Sequence, residues 1–392
     1  MNEQAEAAQE TVETVESGGG GGRVSPLRRL MRSRTARTAV VAGLVGALLG
    51  AGVVAWRTDT LPLVGGPAPC WGSLSEGTVS ALFGEGREVR SEDQRLGGGS
   101  GLTYGSCRVT SSRDGRLLRA VDIRVHELDG LYGMDGDRWP ADYLDPDMVS
   151  LGEGLPGMVS GARAWIALPE KCTGKPGDFE AATVVDVNLG RAGVDSDPGL
   201  PGWEEDRAAL ARAVVDAANG AIRSFGCSQS YAAPGALAKA GDWKEADQDA
   251  LCGIKGFALP AGFSPERREA LGQERFGDLG GPARSCEVGG SLPNTYLRFT
   301  TVEDPSLTAI FNKAVLHGGN RVEGPKGYGS LSETRAAYKA KCPKGSVVFL
   351  VEQKRAIDDV AFDLTRSLLP AYVAAEAERI GCGPERLRIM RG

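Results

Sequence analysis

Histidine is almost missing from this chain: His126 and His317 are the two among 392 residues. They stand 19 and 31 positions after the cysteine that precedes each, in places that do not correspond, so a metal site built on histidine pairs within one domain is excluded. Close cysteine pairs are missing too. The nearest two, Cys227 and Cys252, are 25 positions apart, which excludes CxxC zinc and redox chemistry. No GxSxG elbow, no Ser followed by Lys three positions on and no GxxxxGK[ST] phosphate loop occurs. A basic surface is lacking as well. The formal net charge is −6, and residues 1–37 hold five Glu and six Arg, leaving −7 for the rest. Such a balance argues against a nucleic-acid partner, whose phosphates demand a positive surface.

What is present is glycine, 56 residues against a usual share of roughly 7%, and enough apolar residue, 41%, to bury a core. From Thr38 to Trp56 nineteen residues carry no charge, bounded by Arg37 and Arg57. A helix of that length spans about 28 Å, close to the hydrocarbon core of a bilayer. Arg28, Arg29, Arg32, Arg34 and Arg37 precede it and Arg57 alone follows, so the positive-inside rule places residues 1–37 in the cytoplasm as a disordered tail. A signal peptide cleaved after Ala55 is the competing reading, but the preceding tail is long and the apolar run exceeds an ordinary h-region. Ala42, Gly46 and Gly50 recur every four residues, a spacing that lets two such helices approach closely and form a homodimer.

All eight cysteines follow that segment: Cys70, Cys107, Cys172, Cys227, Cys252, Cys286, Cys342 and Cys382. An even count on the exported side reads as disulfides in an oxidising compartment. Their separations repeat as 37, 65 and 55, then 34, 56 and 40. Leu96-Gly97-Gly98 before Ser106-Cys107 is answered by Leu279-Gly280-Gly281 before Ser285-Cys286. Lys171-Cys172 is answered by Lys341-Cys342, and Gly226-Cys227 by Gly381-Cys382. We read a tandem duplication, with repeat 1 at 66–229, a linker at 230–248 and repeat 2 at 249–384. Within a set of four cysteines three pairings are open. First-with-second and third-with-fourth is favoured, because the latter pins the closing helix to its sheet. Runs of strands framed by helices predict an α+β class: one N-terminal transmembrane helix (38–56), then two tandem related domains, each an antiparallel sheet with a packed C-terminal helix.

Chemistry-bearing residues gather at 129–153. Asp129, Asp135, Asp137, Asp142, Asp145 and Asp147 stand there with Tyr132, Trp139 and Tyr143, and repeat 2 lacks the insertion. Oxygen clusters of this kind suit calcium, but Asp135-Gly136-Asp137 runs into Arg138-Trp139 and breaks the EF-hand pattern. Paired carboxylates flanked by aromatics also suit glycoside hydrolysis. A solvated loop explains the same residues without either, and no cofactor is expected.

In its basic tail, Ala/Gly/Val anchor and cysteine-paired exported part, the chain resembles uncharacterised exported proteins of high-GC actinobacteria. More loosely it resembles the small domains of actinobacterial envelope lipoproteins, departing from them at Pro69-Cys70, where a lipobox would stand. The resemblance implies a cell-envelope location and no activity. The expectation is thus a non-catalytic protein of the cell membrane, its bulk extracellular, binding an envelope protein, a wall component or a small ligand. The alternatives are an envelope hydrolase acting through the 129–153 carboxylates and a transmembrane signalling component.

Overall fold

The computed structural model describes residues 68–390 apart from Gly86, 98–102, 128–142, Asp145, Glu153, 175–181, 190–201, 278–280, 291–294, Ser306, Gly318 and 358–363. The apolar segment 38–56, with Ala42, Gly46 and Gly50, lies outside the described residues.

In repeat 1, α1 (Glu76–Phe83) starts where the Ser75 hydroxyl accepts a hydrogen bond from the Thr78 amide. Strands β1 (Glu88–Asp93), β2 (Thr103–Arg113) and β3 (Arg116–Glu127) follow, then β4 (Val149–Ser150), β5 (Gly157–Val159), β6 (Arg163–Ala167) and β7 (Thr183–Leu189). Asp114 and Gly115 both take positive φ, as a two-residue hairpin between β2 and β3 requires. The repeat closes with α2 (Trp203–Ser224). After a short strand β8 (Lys244–Glu245), repeat 2 supplies α3 (Pro265–Ala270), β9 (Gln273–Phe276), β10 (Ala283–Gly289) and β11 (Thr295–Val302). Helix α4 (Asn312–His317) precedes β12 (Asn320–Gly324), β13 (Gly327–Leu331), β14 (Arg335–Cys342) and β15 (Gly345–Gln353). Helix α5 (Leu364–Arg379) and β16 (Arg388–Ile389) end the fold.

Every pairing is antiparallel. The first sheet runs β1-β2-β3-β7-β6-β5-β4; the second, read in the same sense, runs β8-β9-β10-β11-β15-β14-β13-β12-β16. Without its two added edges, the second sheet follows the path of the first strand for strand. Register agrees as well: Cys107 faces Ile123 where Cys286 faces Phe299. Four disulfides join Cys70 to Cys107, Cys172 to Cys227, Cys252 to Cys286 and Cys342 to Cys382. First pairs with second and third with fourth in each set.

One face of each sheet is sealed within its own repeat. Val121, Ile123, Val125, Val185 and Val187 meet Val214, Ala217, Ala218 and Ile222 of α2, while Phe299, Phe349 and Val351 meet Leu368, Leu369 and Val373 of α5. The opposite faces share a third core. Met158, Trp165 and Val184 of repeat 1, with Tyr143, Leu144 and Met148, pack on Val302, Phe311, Val348 and Leu350 of repeat 2. From Pro67 onward the chain is therefore one compact unit. The segment after Cys227 is no slack tether, since Tyr231, Leu237 and Ala240 pack against the first core.

These findings correct the expected α+β class with a leading transmembrane helix. The described residues are rich in sheet, seven strands in one and nine in the other, with few helices. None of those helices is long and apolar enough to cross a membrane. The physical reason is that β1 is a short, polar edge strand and that β9 and β12, each flanked on its outer side by a two-residue strand, are as short and polar. The sequence Glu88–Asp93 is exposed at nearly every position, so no hydrophobic alternation marks it.

Candidate functional site

The connection between β4 and β5, the segment after Cys227 and two loops of repeat 2 enclose a cleft of about 600 Å³. Ser150, Gly152, Gly154 and Pro156 form one wall, Ala236 and Ala238 a second, and Gly281, Pro282, Glu303, Asp304 and Pro305 the third. Small residues let these backbones approach. A side chain at Gly152 would begin 3.3 Å from the Gly235 Cα, and the Gly235 amide donates to the Leu151 carbonyl at 3.0 Å. Gly281, at φ +127°, places its missing Cβ 3.0 Å from that of Ser150. The third wall is pinned by the amides of Glu303 and Asp304, which both donate to the Pro282 carbonyl, at 3.0 and 3.1 Å.

The second wall is held in place by Tyr231. Its amide donates to the Asn219 side-chain oxygen of α2 at 2.7 Å, and its hydroxyl donates to the Ala167 carbonyl at 2.6 Å. Burial, helped by the negative charge of Asp304, pushes the Tyr231 hydroxyl up to about 12, so it stays a donor at neutral pH. A smaller hollow of about 180 Å³ beside Tyr231 shares Pro156 with the main cleft.

Two carboxylates supply the charge of the cleft. Burial raises the Glu303 carboxyl above its ordinary range, and Arg379, 3.6 Å away, opposes that rise without cancelling it. Arg379 is engaged chiefly by Glu376, to which it donates at 2.6 and 2.7 Å. Glu303 is thus a partly exposed carboxylate with a distant, shared counter-ion. Hydrogen-bond donors and cations would be held here, against walls of glycine, alanine and proline that fit an unbranched group.

Of the sequence-predicted aspartates, Asp147 is the one among the described residues, and it does not line this cleft. Asp129, Asp135, Asp137, Asp142 and Asp145 lie outside the described residues. Asp147 is buried where the repeats meet, its carboxylate paired with Arg275, which also binds Glu287 at 2.8 Å. His126 is buried with its Nε2 3.9 Å from Asp186. Burial works to raise the Asp186 carboxyl, but Arg163 and His126 outweigh it and hold it below the carboxylate range. Among the described residues one cluster, Cys70, Asp93 and Cys107, has the spacing of metal ligands, but both sulfurs are spent in a disulfide. Glu303 and Asp304 were missed because they sit in the short turn Glu303-Asp304-Pro305 with no motif around them. The one available signal was Pro305, which marks a turn directly after a run of strand.

No protein-family model matches this chain, and no curated protein does. Among solved structures it is similar to the crystal structure of DynU16, a protein of the dynemicin biosynthetic locus. That likeness has 14% identity, a TM-score of 0.13, and covers 81% of this chain and 94% of that one. At that score it carries no argument about fold or function.

Proposed function

We propose that this protein is a non-catalytic binding protein of the cell envelope that takes a ligand bearing an amine or another donor group into the cleft between its repeats. The observation that supports this reading is the cleft itself, about 600 Å³ in size, to which both repeats and the connecting segment contribute. Its small-residue walls and its carboxylates, Glu303 and Asp304, give it a shape and a sign. Disulfides suit an oxidising exterior. The acidic charge outside residues 1–37 favours cationic over anionic ligands.

The test is retention of the full-length protein, in detergent extract, on isolated cell wall and on immobilised envelope proteins, compared with the double variant Glu303→Gln/Asp304→Asn. Wild type should be retained and the variant released, at least about tenfold more weakly bound if two charged contacts are lost. Equal retention of both would move the site elsewhere, and no retention of wild type would sink the reading.

A further inference from the structure

The repeated register exposes a second surface, independent of the cleft. One residue after the second cysteine of each set, the sheets carry a row of charges on the face turned away from the helices. In repeat 2 the row is Arg275, Glu287, Arg298, Glu352 and Arg335 across β9, β10, β11, β15 and β14. In repeat 1 the same register holds Glu92, Arg108, Asp122, Asn188 and Arg163 across β1, β2, β3, β7 and β6. The first three rungs are reversed in sign between the copies.

Their surroundings differ as much as their signs. Repeat 2's row is closed. Arg298 donates to Glu287 at 2.7 and 3.1 Å, and the outermost rung, Arg275, lies under the ring of Trp243 at 5.2 Å and is paired with Asp147 of the segment Pro146–Met148. That segment crosses so closely that a Cβ at Gly277 would begin 3.3 Å from the Met148 carbonyl. In repeat 1 the same rungs are open to solvent around a hollow of about 410 Å³. The Arg108 side chain is 55% exposed against 3% for its counterpart Glu287, and Glu92 is exposed with no partner among the described residues.

We propose that this open face of β1, β2 and β3 is a docking surface for an extended segment of a partner protein that presents a lysine or arginine to Glu92, laid down as Pro146–Met148 is laid on repeat 2. Charge complementarity sets the occupant. Where the outer rung is Arg275, the covering segment brings an aspartate; where it is Glu92, the covering segment needs a cation. Glu92 at the mouth favours that sign, and Arg108 and Arg124, which line the same hollow, are placed to take the segment's carbonyl groups.

The probes are two synthetic peptides, one with the native sequence of residues 143–150 and one with Asp147→Lys. Binding to the full chain in detergent is read by fluorescence anisotropy. The lysine peptide should bind wild type about tenfold more tightly than the native peptide, and Glu92→Lys should reverse the order. Glu92 lies exposed on an edge strand, so that variant keeps its fold; non-reducing peptide mapping of the four disulfides verifies it. Equal binding of the two peptides to wild type, an unchanged order in the variant, or no binding of either at about 1 mM would overturn the proposal.

Discussion

Each repeat lays its closing helix on the same face of the same strand path, yet the two contacts are chemically unlike. In repeat 1, α2 meets the sheet through Val214, Ala217, Ala218, Ala221 and Ile222, all buried and all apolar. In repeat 2, Glu376 and Tyr372 occupy the places of Ala221 and Ala217, each counted back from the closing cysteine. Glu376 is fully buried. It accepts from Thr301 at 2.9 Å, from Arg379 at 2.6 and 2.7 Å, and from Arg284 at 3.4 Å. By register, Thr301 and Arg284 replace Val125 and Gly105 of repeat 1. The comparison teaches that the shared strand path needs a sealed helix face and accepts either an oily or an ionic seal. The ionic one has a further consequence, because Arg379 extends the network to Glu303 in the cleft wall. Helix α5 is thereby joined to a carboxylate of the candidate ligand site, whereas α2 reaches the cleft wall through the neutral contact of Asn219 with Tyr231.

The strongest way to break this comparison is to give repeat 2 the residue of repeat 1. Glu376→Ala leaves Arg284, whose side chain is 5% exposed, without its counter-ion. Loss of one partner from a buried charge network should cost roughly 3–5 kcal/mol in urea unfolding. The pair Glu376→Leu/Arg284→Met, which removes both charges, should recover much of that loss. A cost below about 1 kcal/mol for the single variant would show that the network is solvated and that the two seals are alike after all.

A smaller effect distinguishes the charge rows. Burial works to raise the Glu287 carboxyl, but Arg298 and Arg275 outweigh it and lower it from 4.5 to about 2. A carboxylate depressed in the folded state stabilises fully above its unfolded value and loses that contribution as pH falls through the folded one. Acid should therefore weaken the protein between pH 4.5 and about 2 by an amount on the order of 2–3 kcal/mol from this group. Glu287→Gln should flatten that limb of the stability curve. Asp122→Asn on the open row, where Arg108 is 3.7 Å away and half exposed, should cost no more than about 0.5 kcal/mol at neutral pH. Equal slopes in acid for wild type and Glu287→Gln would remove the distinction.

The cysteines made the disulfide pairing and the correspondence between 66–229 and 249–384 legible, because the residues beside them recur in the same order. Helix α2 was legible from Leu210, Val214, Ala217, Ala218, Ala221 and Ile222 at helical spacing and from Glu204, Glu205 and Asp206 at its start. The class was not, since polar edge strands leave no alternation to read. Neither was the shared core, although a signal existed. Val347-Val348-Phe349-Leu350-Val351 is an unbroken apolar run, which marks a strand covered on both faces. Alternation would have meant a sheet with one face in solvent; the run meant that something had to cover the other, and the other repeat does. The cleft was illegible for a different reason. Its walls come from residues 150–156, 236–238 and 281–305, which approach one another only after both sheets have packed. Glycine and proline, the residues that permit that approach, are common everywhere in this chain.

The least of the expected differences concerns how the first helix of each repeat begins. Both start on a serine whose hydroxyl accepts an amide hydrogen bond: Ser75 from Thr78 at 3.2 Å and Ser264 from Arg267 at 3.3 Å. Loss of such a cap costs about 1 kcal/mol. Ser75 does more, for it also donates to Asp216 of α2 at 3.1 Å, and Thr78 donates to the same carboxylate oxygen at 2.6 Å. That carboxylate ties α1 to the closing helix in repeat 1, a role for which α3 has no counterpart among the described contacts of Ser264. Ser75→Ala should therefore destabilise by about 1–2 kcal/mol and Ser264→Ala by about 0.5–1 kcal/mol. In an Asp216→Ala background the two serine substitutions should cost the same. If they already cost the same in wild type, the carboxylate contributes nothing measurable, and the first helices of the two repeats are energetically equivalent despite their different neighbours.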